Sequence, residues 1–246
     1  MKILEIIQAR MCSTRLPGKA LIKIMDKPML WHVIDRASHS NLIDKIVVAT
    51  STNKEDDAIE RFCKDNGFYC YRGSHEDVLD RYYQAANAYK PEAVVRITSD
   101  CPLIDPVVTD KVISCFLKNR KKFDGASNVI NRTYPRGLDT EVISFLALER
   151  IWREAKLDYQ REHVTIYAYE NKKDFRLYSV ENKKDLSGFR WTVDTAPDLE
   201  FITEIYKRLY TGKKIFLTED VLRVLDKEPK LKDINKEVKQ KYVRRG

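Results

Sequence analysis

The sequence predicts an α/β sandwich built on one mixed sheet, and three observations carry that expectation. Continuous apolar runs at residues 3–7, 45–50 and 93–97 read as buried strands. Stretches with helical apolar spacing lie between them, so strand and helix alternate and the strands pair in parallel through helical crossovers. After about residue 124 the alternation loosens while strand-like pieces continue, which makes the sheet mixed and favours one domain over two.

Ile3-Leu4-Glu5-Ile6-Ile7 is the first buried strand. A long polar loop, residues 8–19, follows and breaks at Pro17-Gly18. Pro28 opens a helix through Met29, Leu30, Val33, Ile34 and Ala37, since a first-turn proline lacks only an N–H that needs no partner there. Residues 45–50 form the second strand. Residues 53–65 form a helix with Ala58, Ile59 and Phe62 on one face. Its Glu55, Asp56 and Asp57 read as first-turn acids favoured by the helix dipole. A short strand at 68–71, a helix at 75–89, a strand at 93–97 and a helix at 106–119 follow. Asp105, just before Pro106, reads as the N-cap of that last helix. Beyond it, strands are expected near 125–128, 138–143, 175–180 and 190–193, and helices at 145–154, 160–170, 197–210 and 219–225.

The chain of 246 residues is 43% hydrophobic and 33% charged, a soluble globular composition. Apolar runs fall far short of the ~20 residues that span a bilayer, and the start of the chain lacks a leader pattern. A cytoplasmic protein without a membrane partner is expected. The net charge is +8; residues 227–246 hold 8 Lys/Arg against 3 Asp/Glu, so residues 1–226 carry only +3. Residues 1–226 are therefore expected to form a single domain, looser at about 124–190, with 227–246 as a basic tail. That tail reads as a solvated, partly helical end or as a contact for RNA, a membrane surface or a partner. Its only aromatic residue is Tyr242, which argues against a nucleic-acid partner. Five cysteines lack C-x-x-C spacing and four histidines are scattered, which disfavours a zinc site or a disulfide framework. H-E-x-x-H and G-x-S-x-G are both absent, which disfavours zinc and serine hydrolases.

In open α/β sheets, ligands bind beyond the C-terminal strand ends. The loop after the first strand, Gln8-Ala9-Arg10-Met11-Cys12-Ser13-Thr14-Arg15-Leu16-Pro17-Gly18-Lys19, gathers three cations, two hydroxyls and a glycine. It reads either as a solvated basic loop or as a cradle for a triphosphate. It is neither a Walker A loop nor G-x-G-x-x-G. Asp100 directly follows the strand at 93–97 and stands before Pro102, a position suited to holding Mg²⁺. Asp194 ends another apolar stretch just before Pro197, and reads either as a turn residue or as a second carboxylate converging with Asp100. Trp31, Trp152 and Trp191 read as core or interface residues rather than base-stacking platforms.

These segments resemble a known family. Ala9-Arg10-Met11-Cys12-Ser13-Thr14-Arg15-Leu16-Pro17-Gly18-Lys19, with Lys27-Pro28-Met29-Leu30 and His32-Val33, is similar to the opening of the cytidylyltransferases that activate acidic sugars, the CMP-Kdo synthetases and acylneuraminate cytidylyltransferases. The SpsF-type spore-coat polysaccharide branch is the nearest match. Asp100-Cys101-Pro102-Leu103-Ile104-Asp105, Tyr134-Pro135-Arg136-Gly137-Leu138-Asp139-Thr140-Glu141-Val142, Arg161-Glu162-His163-Val164-Thr165 and Thr192-Val193-Asp194-Thr195-Ala196-Pro197-Asp198-Leu199 resemble that branch in order, and the likeness spans about 3–210. Where CMP-Kdo synthetases carry an acidic residue before the proline, this chain has Cys101.

The resemblance implies a Rossmann-like three-layer α/β/α sandwich with a mixed sheet, the nucleotide-diphosphosugar transferase fold. It implies a nucleotidyltransferase that joins a nucleoside monophosphate, from CTP or another nucleoside triphosphate, to an anionic sugar-like acceptor and releases pyrophosphate. It further implies a homodimer. By the same likeness, Ala9, Arg10, Ser13, Thr14, Arg15, Lys19 and Asp100 bind the nucleotide. Arg10, Lys19, Asp100 and Asp194 are catalytic, with Asp100 and Asp194 holding Mg²⁺. Arg136, Glu141, Arg161 and His163 line the acceptor pocket. Positioning and charge neutralisation dominate such a transfer. Two other readings stay open: a glycosyltransferase of related fold, for which a D-x-D pair is missing at Asp100-Cys101-Pro102, and a non-catalytic binding protein.

Overall fold

The computed structural model describes residues 2–240. The chain runs β1 (Ile3–Gln8), a 3₁₀ turn (Lys19–Leu21), β2 (Lys23–Ile24), β3 (Lys27–Pro28), α1 (Met29–Ala37), β4 (Lys45–Ser51), α2 (Asp57–Asp65), β5 (Cys70–Gly73), α3 (Val78–Tyr89), β6 (Ala93–Thr98) and α4 (Pro106–Asn119). It continues with β7 (Gly125–Ser127), β8 (Glu141–Ser144), α5 (Phe145–Glu154), α6 (Asp158–Glu162), α7 (Ile166–Glu170), β9 (Leu177–Ser179), α8 (Ala196–Leu209) and α9 (Thr218–Lys227).

The main sheet has the order β5-β4-β1-β6-β8-β7-β9, and β2 with β3 makes a separate hairpin. β5, β4, β1 and β6 are parallel, β8 is antiparallel to both neighbours, and β9 is parallel to β7. The mixed sheet expected from the sequence is thus present. From β1 the chain steps outward to β4 and β5, then returns to place β6 on the other side of β1. The switch point, where α/β sheets bind ligands, therefore lies at the C-terminal ends of β1 and β6.

Alternation along β1 sends Ile3 and Ile7 to one face and Leu4 and Ile6 to the other. The first pair packs with Leu30 and Val33 of α1, Ile59 of α2 and Ile113 and Phe116 of α4. The second packs with Leu79 and Tyr82 of α3 and Leu148 and Ile151 of α5. Each such fully buried side chain contributes about 1.5–3 kcal/mol of transfer free energy. A third cluster joins Met29 and Leu103 to Trp191, Val193, Phe201, Tyr206 and Leu225, and so seats the C-terminal third on the sheet's ligand-binding end.

The structure departs from the sequence expectation in two places near that end. The single helix expected over 160–170 is two short ones, broken at His163, Val164 and Thr165. Val164 has φ 47°, a left-handed geometry that a β-branched residue adopts only when its surroundings impose it. Beside it, the Thr165 hydroxyl donates to Glu141 at 2.8 Å. The strand expected at 190–193 is a single parallel bridge between Arg136 and Arg190. Beyond α9, Leu231 is buried in the third cluster. Asn235 Nδ2 donates to the Arg190 carbonyl at 2.9 Å and to Asp198 at 3.0 Å. Residues 241–246, the last part of the expected basic tail, lie outside the described residues. Among the described residues, no helix is long and apolar enough to cross a membrane.

Candidate active site

The loop leaving β1 is pinned at both ends. Ala9 N donates to the Ala49 carbonyl at 3.1 Å, which extends the sheet by one residue. Met11 N donates to Asp56 Oδ1 at 2.7 Å, while Asp56 Oδ2 accepts from Ser51 N at 3.2 Å and from the Ser51 hydroxyl. Asp56 is buried, so it ties the loop to the end of β4 rather than serving only as a first-turn acid. At the far end Gly18 N donates to the Met11 carbonyl at 2.9 Å. Gly18 takes φ 70°, a conformation that glycine adopts at no steric cost.

That closure aims Lys19 at the switch point. Its Nζ lies 2.6 Å from Asp100 Oδ2, 2.8 Å from Asp194 Oδ1 and 3.0 Å from the Val193 carbonyl. The two carboxylates therefore converge on one cation. Asp100 is oriented by the Thr98 hydroxyl at 2.6 Å, and its carbonyl accepts from Val193 N at 2.8 Å. Asp194 Oδ2 meets Arg15 at 3.1 Å and Arg190 at 2.9 Å. Arg190 is fixed in turn by Asp198, at 2.8 and 3.1 Å, and Asp198 is fully buried. Asp198 also closes a capping box with Thr195 at the start of α8.

The charges shape one another. Burial alone would raise the Asp194 carboxyl, but Lys19, Arg15 and Arg190 outweigh it and hold it below the usual carboxylate range. Burial disfavours the Lys19 ammonium, yet Asp100 and Asp194 more than compensate and raise its pKa. Burial lowers the pKa of the His163 imidazole, opposed by Glu162 and aided by Arg96 and Arg10, which favours the neutral ring.

The other expected residues divide into two groups. Arg10 lies 3.9 Å from Glu162. Ser13 and Thr14 sit at the loop tip, Thr14 exposed. Arg136 lies on a turn that grips the Asp194 segment: its N donates to the Phe189 carbonyl at 3.0 Å and its carbonyl accepts from Trp191 N at 2.6 Å. Gly137 has φ 106°, and a Cβ there would fall 2.5 Å from the Trp191 carbonyl carbon, so only glycine allows this approach. Arg136 and Arg190 line a groove of about 760 Å³ with Trp191, Lys232 and Lys236.

Glu141 and Arg161, in contrast, already have protein partners, Glu141 buried and Arg161 half-buried. Glu141 is 5% exposed, and its oxygens take Arg96, Thr165 and Tyr169. The Arg161 guanidinium forks onto Asp77 at 2.5–3.0 Å and donates to the Trp152 carbonyl at 2.6 Å. Glu141 is thus held among protein partners, while Arg161 is paired with Asp77 and also lines a surface pocket with Trp152 and Lys156. Sequence reasoning missed Asp56, Arg190 and Asp198. Only Asp198 left a signal, the Thr-x-x-Asp spacing of a capping box.

Residues 4–241 match a family model described as cytidylyltransferase. The spore coat polysaccharide biosynthesis protein SpsF of Bacillus subtilis is 33% identical over 92% of this chain and 95% of its own. A 3-deoxy-manno-octulosonate cytidylyltransferase of Geobacter sulfurreducens is 38% identical over 48% of this chain and 47% of its own. The solved structure of a cytidylyltransferase from Leptospira borgpetersenii superposes with a TM-score of 0.90 at 34% identity, covering 98% of this chain and 99% of that one.

Proposed function

The chain belongs to the cytidylyltransferase family, and from that premise we propose that it transfers a cytidylyl group from CTP to an acidic sugar and releases pyrophosphate. The observation that carries the proposal is the convergence of Lys19 with Asp100 and Asp194 at the switch point, beneath a loop that adds Arg10 and Arg15. An acceptor oxygen attacks the α-phosphorus while the bond to the β-phosphate oxygen breaks. Negative charge grows on the departing pyrophosphate, and Arg10, Arg15 and Lys19 are the side chains placed to offset it. Loss of one such preorganised donor costs about 3 kcal/mol in the barrier, roughly a hundredfold in rate.

Asp100 and Asp194 fit Mg²⁺. Their oxygens already share one cation, and Mg²⁺ is commonly held by one or two carboxylates with waters and substrate phosphates filling the remaining positions. Among the described residues no cluster of three or more His, Cys, Asp or Glu side chains is arranged for a metal, which accords with so sparse a protein share. When bound, Mg²⁺ would polarise the phosphoryl group and lower the pKa of a coordinated oxygen. Arg136 and His163 are proposed to contact the acceptor. The fixed Pro-Arg-Gly turn around Arg136 suits bidentate pairing with a carboxylate or phosphate. The SpsF relative, a spore coat polysaccharide biosynthesis protein, supports a surface polysaccharide as the destination of the product.

The test is pyrophosphate release with each of the four nucleoside triphosphates, Mg²⁺ and a panel of acidic and neutral sugars. CTP with an acidic sugar is expected to give turnover. Full-rate turnover of neutral sugars, or equal use of GTP, would overturn the assignment.

A further inference from the structure

The Lys19 ammonium has three N–H donors, and all three acceptors within reach belong to the candidate metal site: Asp100 Oδ2 at 2.6 Å, Asp194 Oδ1 at 2.8 Å and the Val193 carbonyl at 3.0 Å. We propose that Lys19 is the resident counter-ion of the Asp100–Asp194 pair, and that a divalent ion displaces it only when a triphosphate arrives to receive the ammonium. This rests on the reading of Asp100 and Asp194 as the metal-binding pair.

Geometry makes the two cations exclusive. Mg²⁺ sits about 2.0–2.1 Å from each ligand oxygen. An ammonium at 2.6 and 2.8 Å from the same two oxygens occupies the same space and carries like charge. Lys19 must therefore leave for the ion to enter. Its side chain is only 14% exposed, so withdrawal without a new anion strands a charge in a poorly solvated place. Asp198, the fully buried carboxylate that accepts from Asp194 N, is already spent on Arg190, Thr195 and Asn235. Incoming phosphate oxygens are the receiving group that the reaction itself supplies.

Arg15 shares the arrangement. It holds Asp194 Oδ2 at 3.1 Å from the same loop, so the triphosphate can draw both cations away together. Arg190 stays, because Asp198 anchors it, and Thr98 stays on Asp100. The carboxylates thus remain aimed after the exchange. By linkage, nucleotide and metal then bind with positive coupling, each raising the affinity of the other by the same factor.

The test uses Mn²⁺ as the probe and electron paramagnetic resonance of the free ion as the readout, without nucleotide or turnover. Wild type is expected to bind Mn²⁺ weakly. Lys19→Gln is expected to bind it at least tenfold more tightly, Lys19→Arg no more tightly than wild type, and Lys19→Gln/Asp100→Asn is expected to lose the gain. Arg15→Gln, a change at a solvent-facing loop, is expected to tighten Mn²⁺ about threefold and serves if Lys19→Gln does not fold. Equal Mn²⁺ affinity in wild type, Lys19→Gln and Arg15→Gln, or a gain that survives Asp100→Asn, would overturn the proposal. The readout is independent of substrate choice: absence of CTP turnover with the Mn²⁺ pattern intact would remove the proposed reaction and leave the counter-ion role standing.

Discussion

Glu5 lies in the middle of β1, the strand that feeds the basic loop of residues 9–19, with Ile46 and Val95 beside it in register. It is fully buried and neither carboxylate oxygen has a hydrogen-bond partner. Burial, with a further push from Asp110, raises its pKa from 4.5 to about 8. The consequence has a definite sign. Below pH 4.5 folded and unfolded states both hold the proton, and Glu5 makes stability independent of pH. Between 4.5 and 8 the unfolded chain releases the proton and the folded chain keeps it. Stability therefore falls as pH rises, by about 1.4 kcal/mol per unit, and levels off above 8. At pH 7 the accumulated loss is on the order of 3 kcal/mol. Glu5→Gln cannot titrate and removes that loss, whatever constant amount the buried amide adds. The difference in unfolding free energy between variant and wild type should therefore shift in favour of the variant by roughly 3 kcal/mol from pH 4.5 to pH 7. For a chain of this size that corresponds to about 6–12 °C in Tm. Urea unfolding followed by circular dichroism at pH 4.5, 6, 7 and 8 measures it. A difference that does not change with pH would refute the assignment of a neutral buried acid.

Asp100→Ala and Asp194→Ala are each expected to lower kcat by about 10²–10³ with the far-ultraviolet circular dichroism spectrum retained; near-native turnover in saturating Mg²⁺ would contradict the two-carboxylate site. Gly137→Ala places a methyl group 2.5 Å from the Trp191 carbonyl carbon at φ 106°. It should cost about 2–4 kcal/mol of stability and displace Asp194, which a thermal melt and a kcat measurement together detect; unchanged values in both would show that the turn is not strained. Asp56→Ala removes the acceptor for Met11 N and Ser51, and should raise the nucleotide KM about tenfold, the scale of one lost buried hydrogen bond, while leaving the acceptor KM unchanged. A change in the acceptor KM alone would place Asp56 elsewhere in the mechanism.

The sequence by itself determined the strand–helix order of the main sheet through α4, the mixed sheet, and the family, but not the β2–β3 hairpin, because buried strands, helix-opening prolines and the residues 9–19 loop are local patterns whose meaning does not depend on distant partners. Asp105 belongs with them: an N-cap before a proline is read from neighbours, and it caps α4 through Val107 N at 2.8 Å. What tertiary structure alone decided is which charges meet. Lys19 lies 81 residues from Asp100 and 175 from Asp194. Asp77 and Arg161, 84 apart, neutralise each other, and Asp198 secures Arg190 with help from Asn235. Each of these side chains is, in sequence, one charged residue among many. A carboxylate's role is set by the cation that reaches it in a low-dielectric place, and in this chain the pairing of β1 with β6 and the packing of the C-terminal third on that end bring the partners together.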